Sequence, residues 1–203
     1  MARTVVDCVW LFDVIADFDH HDTLAEPYRL EDSYLEFLDA GGLQGKRLGV
    51  LRSLVDQEGA DLEIKLIFEE ALASLDGAGA EIVDPFSITD FRSLSDSIPF
   101  CPRFRYDVAR YLRTLRNQPV SDVNLLLESD EVSDEARSRL TFYSEYPLEV
   151  PPDEWEEPCI TWPNNPLRNQ LLQNVIAAMN EAQIDGIIFP TWSNPPAHID
   201  RGV

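Results

Sequence analysis

Five arginines, Arg103, Arg105, Arg110, Arg113 and Arg116, fall within one short stretch of an otherwise acidic chain. Guanidinium groups grip carboxylates and phosphates through two parallel hydrogen bonds, so such a cluster could orient an anionic substrate. The same stretch holds Asp107, four residues after Arg103 and three before Arg110, and those spacings pair opposite charges on one helix face. With no anion-specific motif beside them, internal pairing is their expected use. Asp17-Phe-Asp-His-His-Asp22 presents imidazoles and carboxylates, donors that suit manganese or zinc. Only eighteen residues, patterned as a helix, precede Asp19, so no earlier strand is there to carry further aspartates. An acidic loop leaving a helix is the default, and no metal or other cofactor is expected. Ser193 has His198 as its nearby base but lacks a Gly-x-Ser-x-Gly elbow. Lys46 and Lys65 are the only lysines, and neither lies near a Gly/Ser-rich run that would let backbone N–H groups approach an oxyanion. Adjacent acids such as Glu69-Glu70, Asp134-Glu135 and Glu156-Glu157 do not face each other on a helix, which argues against a two-carboxylate glycosidase. Cys8, Cys101 and Cys159 are far apart, odd in number and form no C-x-x-C pair, so neither a disulfide framework nor a zinc site is expected.

The elements that must position these residues follow from periodicity and caps. Thr4 should cap a first helix whose stripe Val5, Cys8, Val9, Phe12, Ile15 and Ala16 is expected to be buried. Tyr34, Leu35 and Leu38 suggest a short helix closed in the left-handed conformation by Gly41-Gly42. Arg47–Leu51 reads as a strand. Asp61 then caps a helix with Ile64, Ile67, Phe68, Ala71, Leu72 and Leu75 inward, ending near Gly77 and Gly79. A second strand at Glu81–Asp84 should stop at Pro85. Strand, helix and strand in this order predict a parallel βαβ unit with a right-handed crossover. A helix follows within 90–116, with Phe104, Val108, Tyr111, Leu112 and Leu115 on one side. Helical pieces are expected at 121–128 and 133–145. A long helix should begin at Asn164 or Asn165, with Pro166 in its first turn and Leu167, Leu171, Val175, Ala178, Met179 and Ala182 inward. It leads to Gly186–Phe189, an apolar run typical of a strand covered on both faces. The fold class is therefore α/β, with helices flanking a central mixed, largely parallel sheet.

Bulk properties narrow the function. The 203 residues are 44% hydrophobic, enough to bury a core, so the chain is read as one domain or most of one. Sixteen basic against 37 acidic residues give a net charge of -21, which repels nucleic acid and anionic membrane surfaces. There is no basic start followed by an apolar h-region and no apolar run of ~18 residues, so no signal peptide or transmembrane span is read and a cytoplasmic location is expected. A signal lost with an N-terminal segment would leave no trace in these residues.

One group of segments carries more than local structure. Met1-Ala-Arg-Thr-Val5, Leu43-Gln-Gly-Lys-Arg-Leu-Gly-Val50, Ala78-Gly-Ala-Glu-Ile-Val83, Cys101-Pro-Arg-Phe-Arg-Tyr-Asp107 and Asp185 through Pro196, in this order and spacing, resemble successive landmarks of the amidase-signature family. The resemblance implies a hydrolase of carboxylic amides whose nucleophilic serine, assisted by a second serine and a lysine, lies N-terminal to Met1. It implies a partial amidase domain over 1–203, with an acidic, variable insert at about 117–160 where the likeness fades. This chain alone is then expected to be inactive. It would act on a small-molecule amide only with the missing N-terminal part, and a second copy or an N-terminal partner chain would cover the faces left open. Pro190-Thr-Trp-Ser-Asn-Pro-Pro196 follows a strand, beyond whose carboxyl end ligands gather in open α/β sheets. Thr191, Trp192, Ser193 and Asn194 are accordingly candidate pocket-wall residues, and a proline-stiffened loop whose Trp192 caps the core is the alternative. The resemblance also places Arg103 and Tyr106 near the family's substrate funnel. The Asp-His-His core separately resembles the DHH phosphoesterases, but the further aspartates and partner histidine motif of that family are missing. Survival as a non-catalytic interaction module, or as half of a split enzyme, is the remaining reading.

Overall fold

The computed structural model describes residues 2–16, 33–118, 120–161 and 163–193. They form two compact units, Met1–Ser87 with Ala182–Val203, and Ile88–Glu181. The first unit carries the sheet. Strand β1 (Arg47–Leu51) lies between β2 (Glu81–Phe86) and β3 (Gly186–Ile188), and both pairings are parallel. Leu48 stands opposite Ile82 on one side and Gly186 on the other. Among the described residues no antiparallel strand joins them. The segment between β1 and β2 holds a single turn, α2 (Arg52–Val55), and the long helix α3 (Leu62–Gly77). Asp61 caps α3 through the backbone N–H of Glu63, as its sequence position predicts. Residues 64, 68, 72 and 75 face inward along α3, and Val50, Val55 and Leu72 form the core with Phe68, Ile82 and Ile188 against them. Ile67 and Ala71, expected inside, are exposed, because the sheet covers a narrower arc of the helix than its apolar stripe offers.

Gly49 is the reason the sheet can close. A Cβ there would stand 2.6 Å from Ile184 Cδ1 and 2.8 Å from Phe86 Cγ, so only a glycine lets both side chains cover the strand. Strand β2 runs on through Pro85, past its expected stop. Among the described residues it is an edge strand, where a missing N–H breaks no ladder, and the register with β1 shifts at this point. β3 is likewise an edge strand, half-buried along its length with Phe189 exposed, so it is not covered on both faces as its apolar run suggested.

Helix α1 (Val5–Ile15) is capped by Thr4, whose hydroxyl accepts the N–H of Asp7. Its expected buried stripe is not buried: no residue of α1 lies inside, Ile15 is 74% exposed, and Cys8 is also exposed. Within the described residues the helix packs on a short 3-10 turn at Tyr34–Phe37, through Phe12 edge-on to Tyr34 at 4.9 Å and through Asp13, which accepts from Ser33 and from the N–H of Tyr34. That turn ends in extended backbone at Leu38, and the left-handed residue of the following link is Gly45 in place of Gly41 or Gly42.

The second unit is helical: α4 (Phe91–Ser97), α5 (Phe104–Thr114), a 3-10 turn at Val123–Glu128, α6 (Asp134–Ser144), a short 3-10 turn at Pro152–Glu154, and α7 (Pro166–Ala182), which runs to the boundary. The expected single helix within 90–116 is two, split at Pro99 and Pro102, whose preceding residues are held out of helical geometry. On α5 the fully buried residue is Ala109, while Phe104, Tyr111 and Leu115 are exposed, so the packing face is rotated from the expected one. The inward set of α7 is as its periodicity predicts, each member half-buried.

Candidate functional site

One candidate site among the described residues lies at the start of α5. The approach to this helix, Pro99-Phe-Cys-Pro102, is tied to the segment 158–161 by a disulfide between Cys101 and Cys159, whose Cα atoms are 5.4 Å apart. This corrects the expectation that the cysteines stay apart. Fifty-eight residues separate the two in sequence, and no local spacing signals a bond that the packing of two distant loops creates. The 150s loop is further pinned by the N–H of Cys159 donating to the Pro152 carbonyl at 2.8 Å and by the indole N–H of Trp155 donating to Val150 at 2.9 Å. Buried Asn165 joins loop to helix: its amide donates to the Ile160 carbonyl at 2.8 Å, and its side-chain oxygen accepts the N–H of Arg168, capping α7.

A cavity of about 340 Å³ opens against this frame, walled by Arg103, Tyr106, Arg110, Asp153, Thr161 and Asn164. Arg103 reaches Asp107 through two parallel bonds of 2.6 and 2.8 Å and donates a third to the Thr161 hydroxyl at 3.1 Å. Hydrogen bonding to Asp107 binds its proton more firmly than usual. Pairing is therefore the rule in this cluster. Arg105 pairs with Asp122 and donates to the carbonyls of Ser144 and Tyr146, and Arg113 pairs with Glu149. Arg110 departs from its expected partner Asp107 and lies over the Tyr106 ring, 5.7 Å from its centroid. Planar guanidinium and phenol groups, with a hydroxyl and a carboxamide beside them, suit a planar polar group such as an amide. The sulfur of Cys159, which also lines the cavity, is engaged in its disulfide.

Arg103 and Tyr106 thus come together. Thr191, Trp192 and Ser193 lie in the other unit, just beyond the carboxyl end of β3, and do not line this cavity. The carbonyl of Ser193 accepts the N–H of Asp61 at 2.8 Å, which fastens this loop to the cap of α3. Trp192 is 58% exposed, so it does not cap the core. Asn194, His198 and the Asp17–Asp22 motif fall outside the described residues. Among the described residues no group of three His, Cys, Asp or Glu side chains is placed to hold a metal ion. Lys46 pairs with Asp185 at 3.5 Å and Lys65 with Asp56 at 3.3 Å.

Sequence reasoning missed a charged clamp where β1 ends. Arg52 binds Asp84 of β2 and Glu69 of α3 together, and its hydrogen bond holds the Asp84 carboxyl below the usual carboxylate range. Residues this distant in sequence meet only once the βαβ unit has formed. No helix among the described residues is long and apolar enough to cross a membrane.

A family model described as Amidase matches residues 1–202. A protein of Arthroderma benhamiae named "Putative amidase" is 33% identical over 154 residues, which cover 72% of this chain and 25% of that protein. A glutamyl-tRNA(Gln) amidotransferase subunit of Acinetobacter baylyi is 34% identical over 84 residues, 41% of this chain and 17% of its own length. An amidase family protein of Bacillus anthracis superposes with a TM-score of 0.60 at 22% identity, over 90% of this chain and 34% of that one. The peptide amidase of Stenotrophomonas maltophilia gives 0.57 at 22% identity, over 94% of this chain and 40% of its own. Similarity at such identity carries the fold alone. The chain spans about a quarter or less of these curated relatives, from 25% down to 17%, and 34% to 40% of these solved structures.

Proposed function

Since the chain belongs to the amidase family, we propose that it is the C-terminal portion of an amide hydrolase and supplies substrate-binding wall, with the chemistry housed elsewhere in the complete enzyme. The observation that carries this reading is the pairing of a family match over residues 1–202 with a chain that spans only 25% of an amidase-named relative's length. In the complete enzyme an activated serine would attack the amide carbonyl, the amine would leave, and water would release the acyl group. This chain's part is to position the substrate. Arg103 and Tyr106 would face its polar group, Arg103 held rigid by Asp107 and Thr161. Thr191, Trp192, Ser193 and Asn194 would form wall beyond the sheet. The chain would count as one partial amidase domain, with residues 117–160 as its variable part.

An interaction module, or half of a split enzyme, is the second reading. It is favoured by the apolar residues exposed along α1, which a partner chain or second copy would cover, and by likeness to a protein named as part of an amidotransferase. The substrate is a small-molecule amide under the first reading, and neither reading calls for nucleic acid or a membrane. For location, the Cys101–Cys159 bond supports an oxidising compartment over the cytoplasm expected from sequence, since cytosolic thiols are kept reduced.

Native mass spectrometry of material from its own cells tests the proposal. A longer polypeptide or a complex with a second amidase segment is the expected result. A lone monomer of this chain would contradict both readings.

A further inference from the structure

We infer that a second cavity in the helical unit binds small organic cations of the alkylammonium class. This cavity, about 450 Å³ in volume, is lined by Phe100, Tyr146 and Trp155 together with Glu145, Glu156 and Glu157. Its aromatic residues are linked to one another through Phe142, which is not itself part of the lining. Phe100 lies 6.4 Å from Phe142, Phe142 lies 5.5 Å from Tyr146, and Tyr146 stacks on Trp155 at 5.6 Å with 26° between the rings. The indole N–H of Trp155 is committed to the Val150 carbonyl, so the ring has no donor left to offer a ligand. Prolines on the flanking segments fix the backbone there and lower the cost of ordering the site.

Some carboxylates of the unit, Asp107, Asp122 and Glu149 among them, are matched by an arginine. Among the described residues the side chains of Glu145, Glu156 and Glu157 have no hydrogen bond or ion pair, and all three line the one cavity. Aromatic faces attract cations through their quadrupole, and nearby carboxylates add direct attraction, so the combination selects a positive ligand with an apolar surface. An alkylammonium group has both properties. A phosphate or carboxylate ligand would be repelled. The inference is independent of the amidase reading, because it concerns a different cavity and no cleavage step.

Calorimetric titration of the full chain with choline and with 3,3-dimethylbutan-1-ol, its uncharged counterpart in shape, tests it. Choline should bind at least about tenfold more tightly than the alcohol. Phe100→Leu, at a residue 65% exposed and so tolerant of change, should weaken choline several-fold, as should Glu156→Gln with Glu157→Gln. The exposed pair Glu63→Gln with Glu70→Gln, on α3, removes the same charge from the other unit and should leave binding unchanged. Unfolding curves check that each variant is folded. Absence of choline binding, equal affinity for the alcohol, or an equal loss in the α3 pair would overturn the inference; the last would mean general attraction to a chain of net charge -21.

Discussion

Arg105 and Asp122 show how one pair can hold several segments at once. Their side chains are only 17% and 16% exposed, and Arg105 also donates to two carbonyls at the end of α6, Ser144 at 3.0 Å and Tyr146 at 2.8 Å. Asp122 in turn accepts the N–H of Asn124 at 3.0 Å. Asp122→Asn would leave a half-buried guanidinium facing neutral acceptors, and a stability loss of about 2 kcal/mol is expected in urea unfolding at pH 7. The pH dependence has a definite sign. Hydrogen bonding from Arg105 lowers the folded pKa of Asp122, so its contribution is complete above the unfolded value of about 4 and is lost as pH falls through the folded one. The gap between wild type and Asp122→Asn should therefore hold from pH 7 to about 5 and shrink below about 4. A gap that is constant with pH would mean that Asp122 acts by packing. This pair was half legible in the sequence: the arginine cluster invited pairing, but Asp122 lies seventeen residues from Arg105, beyond any helical spacing rule.

Among the elements, β1 depends on the absence of a side chain and the 150s loop on a covalent tie. Gly49→Ala would drive a methyl group into Ile184 and Phe86, a loss of about 1–3 kcal/mol by thermal or urea unfolding. Removing the tie with Cys101→Ser and Cys159→Ser should cost about 4 kcal/mol in the chain-entropy treatment for a loop of this length, and non-reducing peptide mapping of the wild type should recover the linked pair. Recovery of both cysteines as free thiols from untreated protein would count against the bond. The elements that were legible are those with local causes. Thr4, Asp61 and Asn165 each cap the helix that follows, and the stripe of α7 fits its observed inner face residue by residue. What escaped was non-local: the continuation of β2 past Pro85 depends on its being an edge strand, the disulfide on two loops meeting, and the exposure of α1 on what does not cover it. The candidate site follows the same division. Arg103 and Tyr106, named from the resemblance, share a cavity with Asp153, Thr161 and Asn164, which reach it through tertiary contacts that no motif announces.

At the scale of the whole molecule, an acidic chain carries an apolar helix that its described residues leave uncovered. Val5, Trp10, Leu11, Val14 and Ile15 are all exposed on α1, an arrangement that isolated proteins relieve by association. Sedimentation velocity should therefore show the purified chain associating as its concentration rises. Val14→Glu should reduce that association without moving the urea midpoint, because the residue is 76% exposed. Association that is unchanged in the variant would place the contact elsewhere. The central claim is a division of labour, with binding wall in this chain and chemistry outside it. Amine release from simple aryl amides by the purified chain, measured beside its Ser193→Ala variant, tests this most directly. The account predicts no turnover above the buffer rate for either protein; steady turnover by the wild type that Ser193→Ala abolishes would contradict it.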